Sequence, residues 1–221
     1  MEDEYLKKIW NTPDKEMEQF LTANHSSFQM IQMKKITSKL RALKIKRIIG
    51  IVLGLGWIAF MFLMIYLSVR YSPVSLGKIF FVGSLAAILI ITSIAVFIYV
   101  KDLFMIRQTN LNERITITQR RLAMLKLSIF KSVQISWLQL PFYTTWYINS
   151  NMIVHGHMIT WILQILITGV FTWITVWLFI NINEKNLEKK WLRNLINGTG
   201  FNSINQAMDF VNEIDAYQSE T

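Results

Sequence analysis

Three long runs of apolar residues interrupt an otherwise polar chain. Residues 48–69 and 79–100 each form a run of 22 residues, and residues 158–180 form a run of 23, all without a charged side chain. A helix rises about 1.5 Å per residue, so roughly 20 apolar residues cross a bilayer core about 30 Å thick. Each run therefore predicts one transmembrane helix.

A fourth segment, residues 133–154, is uncharged but less apolar, since Gln, Thr and Asn side chains alternate with Trp, Tyr and Phe. Such a segment is stable in a membrane when its polar side chains face other helices rather than lipid. Pro141 frees a backbone carbonyl and is expected to kink the helix. We interpret the segment as a fourth transmembrane helix, and a re-entrant or interfacial segment is the alternative.

The basic residues predict how these helices are oriented. With four spans, 21 of the 23 Lys and Arg residues and all 14 Asp and Glu residues fall on one side of the membrane, and only Arg70 and Lys78 fall on the other. Lys and Arg are enriched on the cytoplasmic side, and three spans would give a weaker asymmetry. We therefore expect a multi-pass membrane protein with both termini in the cytoplasm. The polar, mixed-charge residues 1–47 do not have the pattern of a signal peptide.

The connection between the second and third spans has a helical apolar stripe. Its members recur at intervals of three and four residues, which favours a helix that pairs with an extension of the second span in a hairpin turning near residues 109–112. A helix lying flat on the membrane is the alternative. The stripe consists of Leu111, Ile115, Leu122, Leu125 and Ile129, with Thr118 and Ser132 in the intervening places.

Both tails carry apolar faces as well. In the N-terminal tail, Thr12 and Pro13 have the N-cap and N1 pattern of a helix start, so we expect one or two short helices there. The C-terminal tail predicts one helix that ends at Asn197–Gly198 and a second that opens at Ser203. These helices could pack on the hairpin as a small cytoplasmic domain.

The predicted fold is thus an all-α membrane protein with four transmembrane helices and a cytoplasmic helical extension. It divides into N-terminal amphipathic helices (1–47), a first transmembrane hairpin (48–100), a cytoplasmic connection (101–132), a second transmembrane hairpin (133–180) and C-terminal helices (181–221).

A basic cluster precedes the first span. Such juxtamembrane cations bind anionic lipid headgroups, so the bilayer itself is an expected partner. The net charge of +9 is explained by positive-inside anchoring, and no nucleic-acid-binding motif accompanies it, so we expect no nucleic acid partner. The cluster comprises Lys34, Lys35, Lys39, Arg41, Lys44, Lys46 and Arg47.

Gly50 and Gly54 form a GxxxG motif in the first span. Small residues at this spacing let two helices approach closely in lipid. We expect Gly50, Gly54 and the kink at Pro141 to govern helix packing. The glycines serve either packing within the chain or a homodimer.

Little in the sequence points to catalysis or to a bound cofactor. Cysteine is absent, which excludes disulfides and thiol chemistry, and only 17% of residues are charged, against about 25% in soluble domains. His155 and His157 have no third metal ligand nearby and are interpreted as part of a polar turn. No nucleotide-binding, metalloprotease or other catalytic spacing is found. We therefore expect no enzymatic activity, no cofactor and no metal.

Several short sequences resemble a known family. They are the run from Trp137 to Trp146 (WLQLPFYTTW), the early LKKIW at residues 6–10, the late KKW at residues 189–191 and MDFVNEI at residues 208–214. The chain resembles, over nearly its full length, an uncharacterised family of small four-span integral membrane proteins of Bacteroidota-type bacteria. Some of these are encoded beside extracytoplasmic-function sigma factors. The resemblance implies an anti-sigma-like or signalling role, although the zinc-binding His and Cys set of familiar anti-sigma proteins is missing here.

The sequence as a whole favours a non-enzymatic inner-membrane protein whose cytoplasmic helices present an interaction surface to a protein partner. A channel or small-solute transporter is the main alternative, and a lipid-active membrane enzyme is the third. Transport is less favoured because none of the predicted spans contains an ionisable residue.

Overall fold

The computed structural model describes residues 2–109 and 115–219, with side chains described for residues 30–109, 116–183 and 185–215. Every regular element within these ranges is helical. The helices are α1 (Glu2–Tyr71), α2 (Leu76–Gln108), α3 (Ile115–Trp137), α4 (Leu140–Tyr143), α5 (Ser150–His155), α6 (Met158–Asn181), α7 (Lys190–Asn197) and α8 (Phe201–Ser219), with one 3₁₀ turn at Glu184–Asn186.

Three of these helices, α1, α2 and α6, are long and apolar enough to cross a membrane. Their exposed side chains in these stretches are large and apolar, for example Phe62, Phe97 and Ile165. An apolar surface of this extent is unfavourable in water and is what a lipid-facing helix requires. The chain is thus an all-helical membrane protein, and the three charge-free runs coincide with three of its helices.

The N-terminal tail differs from the prediction of one or two short helices. α1 is a single helix of 70 residues, about 105 Å long, which continues through Pro13 and enters the first apolar run without a break. No glycine or proline lies between Pro13 and Gly50, so nothing in that stretch forces the chain out of helical geometry. More than half of α1 therefore extends beyond the thickness of a bilayer core.

The fourth predicted span is not one continuous helix. α3 ends at Trp137, Pro141 lies in the first turn of the one-turn helix α4, and an irregular turn separates α4 from α5. Pro141 has no N–H to donate, which makes the first turn of a new helix its favourable place. The expected kink is therefore a full interruption of the helix.

Parts of α1, α2 and α3 pack with α8 into an antiparallel four-helix arrangement that we call the terminal bundle (residues 30–47, 101–109 and 115–132 with α7 and α8). At its distal end, Gln32 donates a hydrogen bond to Glu213 at 2.6 Å. At the end next to the membrane helices, the rings of Phe130 and Phe201 meet edge to face, 5.5 Å apart. α8 thus runs away from the membrane helices.

The core of the terminal bundle consists mainly of apolar side chains. The stripe expected on α3 is buried from Thr118 to Ser132, whereas Leu111 and most of the expected turn at 109–112 lie outside the described residues. Helix α7 ends at Asn197 as expected, and α8 begins at Phe201, two residues before Ser203, after Gly200 with φ +98°. The most deeply buried apolar side chains of this core include Ile36, Leu43, Leu122, Leu125, Ile129, Leu192, Ile196 and Ile204.

Candidate functional site

The basic cluster of α1 separates into two environments. Lys34, Lys35, Arg41, Lys44 and Lys46 are exposed and Lys39 is half-buried. These six side chains lie along the outside of the terminal bundle.

Arg47 lies elsewhere, because it is only 2% exposed and points into the protein. Its Nη2 atom is 3.0 Å from Oδ2 of Asp102, which is itself completely buried. The guanidinium also stacks over the Tyr99 ring, with Cζ 4.4 Å from the ring centroid, and the Ser128 hydroxyl donates a hydrogen bond to the second carboxylate oxygen. We call Arg47, Tyr99, Asp102 and Ser128 the junction cluster.

The junction cluster joins three helices where the terminal bundle meets the membrane helices. Arg47 immediately precedes the first apolar run on α1, Asp102 follows the second apolar run on α2, and Ser128 lies on α3. A buried charge is tolerated only when a partner neutralises it, so the pair holds these helices in one register. Arg47 is therefore a packing residue in this structure, unlike the other members of the basic cluster.

Sequence reasoning missed this pair, although a signal was present. Asp102 is the lone acidic residue in a stretch of apolar side chains, and it stands four positions before Ile106, which is also buried. Helical residues four apart share a face, so an acid at that position faces the bundle core and needs a cation.

The glycines of α1 pack against α2. A Cβ atom added at Gly50 would lie 2.7 Å from the Tyr99 ring, and one added at Gly54 would lie 2.5 Å from a methyl group of Val96. Gly56 has no such neighbour within 4 Å. The GxxxG motif thus serves the α1–α2 contact within the chain.

A polar network stabilises the broken fourth segment, residues 133–154, which we call the interrupted segment, beside α6. Gln164 is buried; its amide donates hydrogen bonds to the Thr144 carbonyl at 2.6 Å and to the Thr168 hydroxyl at 3.0 Å. Its carbonyl accepts a bond from the Tyr147 hydroxyl at 2.6 Å. A break in a helix leaves backbone groups unpaired, and in an apolar surrounding these must find partners inside the protein. Gln164 supplies one of those partners.

The interrupted segment runs antiparallel to α2 over most of its length. Ser128 contacts Asp102, the hydroxyls of Thr145 and Ser84 are 2.8 Å apart, and the Gly77 N–H donates to the Ser150 hydroxyl at 3.2 Å. Gly77 lies 25 residues from Asp102 along a continuous helix, which corresponds to about 37 Å.

Helix α3 also carries an exposed face on the outside of the terminal bundle. Ile117, Met124 and Leu127 are exposed apolar side chains, and Arg120 and Lys131 are exposed on the same helix. Its residues from Ile115 to Trp137 include no Asp or Glu. The face therefore combines apolar contact area with a net positive charge.

Within the described part of the chain, no three His, Asp or Glu side chains are grouped so that they could hold a metal ion. His155 ends α5 and His157 precedes α6, with Gly156 between them. No family model, no curated protein and no solved structure matches this chain.

Proposed function

We propose that the chain is a non-enzymatic, four-pass protein of a bacterial inner membrane, with both termini in the cytoplasm. In this proposal the terminal bundle is a cytoplasmic platform that binds a protein partner. The observation that carries the proposal is a folded body with its own buried core, built from both tails and the central connection, beside three lipid-facing helices.

The fourth crossing is supported by the register of the interrupted segment. Between Ser128 and Ser150 the chain accompanies α2 for about 37 Å, which exceeds the roughly 30 Å of a bilayer core. An interrupted backbone is tolerated at membrane depth when it is buried against protein, and Gln164 provides such a contact.

The orientation is supported by the positions of the charged residues. Basic residues of the terminal bundle such as Lys44, Lys101 and Arg120 lie at or beyond the junction cluster, whereas the opposite end carries Arg70 and Lys78. Positive charge marks the cytoplasmic side. The exposed lysines at the junction also favour binding to anionic headgroups.

The interaction surface is assigned to the exposed face of α3. Because α3 continues antiparallel to α2 beyond the junction cluster, Ile117 lies about 16 Å along the helix from Ser128 and is lifted away from the lipid. Exposed apolar side chains in water favour contact with another protein. A regulatory partner, as the resemblance to a family encoded beside sigma factors implies, is the form of this proposal that we favour.

Topology can be tested with single cysteines, because the chain contains none. We expect Val74→Cys and His155→Cys to react with a membrane-impermeant thiol reagent in intact cells. Arg41→Cys and Asn202→Cys should react only after permeabilisation. Val74 and His155 on opposite sides would contradict four crossings, and external labelling at Asn202 would contradict the orientation.

The partner can be tested by photo-crosslinking amino acids placed on exposed positions in intact membranes. We expect Ile117 and Met124 on α3 to give discrete protein adducts, and Leu163 on α6 to serve as the lipid-facing control. Lipid adducts alone at all three positions would refute the platform. The alternative of a channel or transporter predicts solute flux in reconstituted liposomes instead.

A further inference from the structure

A groove of about 730 Å³ opens at the end of the membrane helices opposite the terminal bundle. It is bounded by the last turns of α1, the connection to α2, the first turns of α2 and the turn that precedes α5. Its lining residues include Met64, Leu67, Ser72, Ser75, Lys78, Phe81, Trp146, Tyr147, Asn149 and Ser150.

The walls of the groove are held by specific contacts. The Lys78 ammonium donates hydrogen bonds to the carbonyls of Val69 at 3.2 Å and Ser72 at 2.8 Å, which closes the α1–α2 connection. On the opposite wall, a Cβ atom at Gly77 would lie only 2.6 Å from the backbone nitrogen of Ser150. Only glycine permits this approach, so the turn before α5 sits directly on α2.

The groove changes from apolar to polar along its length. Met64 and Leu67 lie one to two helical turns before the end of α1, and Phe81 lies more than a turn into α2. Ser72, Ser75 and Asn149 lie in the connections at the rim. Tyr71, Trp146 and Tyr147 line the same groove. Such aromatic side chains are favoured at the depth of lipid headgroups.

The charge in the groove is positive. Among its described lining residues, Lys78 is the sole charged side chain, and no carboxylate opposes it. An ammonium has three N–H donors, and two of those of Lys78 are used by Val69 and Ser72, so one is left for a ligand. The first turn of α2, which contains no acidic residue, brings the positive end of a helix dipole to the same rim.

We propose that this groove binds one anionic phospholipid from the adjacent leaflet. The phosphate is held at the rim by Lys78, and one acyl chain lies along Met64, Leu67 and Phe81 towards the middle of the bilayer. The volume is in the range of sites that bury a small ligand. The proposal requires that α1 and α2 cross the membrane, but it is independent of the orientation and of the protein partner.

The test measures lipid retained by the purified, delipidated full-length protein in detergent. Native mass spectrometry would follow titration with phosphatidylglycerol, with phosphatidylethanolamine as the zwitterionic control and glycerol 3-phosphate as a headgroup without chains. Lys78→Met removes the charge and Leu67→Trp fills the groove. Leu63→Trp, one turn earlier on α1 and outside the lining, is the matched control.

We expect one phosphatidylglycerol per protein, with binding about tenfold weaker in Lys78→Met, because a charge-assisted hydrogen bond is lost. Leu67→Trp should abolish this stoichiometric binding and Leu63→Trp should leave it unchanged. Equal retention of the two lipids, or unchanged binding in Leu67→Trp, would overturn the proposal. If glycerol 3-phosphate bound as tightly as the lipid, the proposed contact between the acyl chain and the groove would be refuted. Leu67→Trp keeps the test decisive if loss of the Lys78 contacts impairs folding.

Discussion

Arg47 shows how one residue in a run of similar residues acquires a different role. Its six basic neighbours in the cluster are exposed or half-buried, whereas Arg47 occupies the helical position that faces α2 and meets Asp102. Position on the helix face, rather than residue type, decides whether a cation contacts solvent or the protein interior. Loss of either side chain of this buried pair is therefore expected to disturb the register of α1 against α2.

Removing one partner of the junction pair should destabilise the protein strongly. We expect Asp102→Ala to lower the free energy of unfolding in detergent by about 3–5 kcal/mol, because Arg47 is left buried without a counter-charge. The double variant Arg47→Met with Asp102→Leu should recover most of this loss. Exposed Glu188→Ala is the control, and equal thermal shifts for Asp102→Ala and Glu188→Ala would contradict the assignment.

The glycine positions on α1 predict unequal tolerance of a larger side chain. Gly50→Leu should lower the free energy of unfolding by about 1–3 kcal/mol, because the new side chain displaces the Tyr99 ring that supports Arg47. Gly56→Leu has no neighbour to displace and should be tolerated. Thermal denaturation of both variants in the same detergent compares them, and similar losses would show that α1 and α2 pack through another face.

At the scale of elements, the interrupted segment is the least regular part of the described chain between α2 and α6. α3, α4 and α5 together cover the stretch in which a single helix was predicted, and α6 lies alongside them. The Gln164 amide donates to the Thr144 carbonyl at 2.6 Å, whereas the Thr175 hydroxyl donates to the Phe171 carbonyl of α6 itself at 2.9 Å. Gln164 of this mostly lipid-exposed helix thus has a partner in the broken segment.

Loss of the Gln164 amide should weaken this pairing of α6 with the interrupted segment. We expect Gln164→Leu to lower stability by about 1–3 kcal/mol even though leucine is the more apolar residue, because the Thr144 carbonyl and the Tyr147 hydroxyl lose a partner. Thr172→Val is the matched control, since its hydroxyl bonds only to the preceding turn of α6. A Gln164→Leu protein as stable as the control would mean that the network does not support the break.

At the scale of the molecule, the terminal bundle and the membrane helices share continuous elements. α1, α2 and α3 each contribute to both parts, and α8 completes the bundle from the far end of the chain. The junction cluster lies where these shared helices pass from one part to the other.

The contribution of α8 can be measured with one core substitution. Ile204→Ala should lower the free energy of unfolding by about 2–5 kcal/mol, because Ile204 is completely buried and its loss leaves a cavity. Exposed Asn202→Ala, two residues earlier on the same helix, should change it by less than about 0.5 kcal/mol. Chemical denaturation in detergent compares the two. If both variants behave alike, α8 does not close the bundle core.

Much of the fold follows from the sequence because the relevant forces are local in the chain. Charge-free runs of bilayer length predict the membrane parts of α1, α2 and α6, and the apolar spacing on α3 and α8 identifies the faces that become the bundle core. The end of α7 at Asn197–Gly198 is also predicted by the residues at that position. The continuity of α1 has a local basis as well, because no glycine or proline follows Pro13 before Gly50.

The remaining features depend on residues that are distant in the chain. Arg47 and Asp102, Gln164 and Thr144, and Gly77 and Ser150 meet only after the helices have packed, so their spacing in the sequence carries no signal of contact. Hydrophobic length alone determined that this chain enters a membrane. Only the tertiary packing decided which cation is buried, which side chains stabilise the broken fourth segment and where a groove remains, since each depends on shape complementarity between helices.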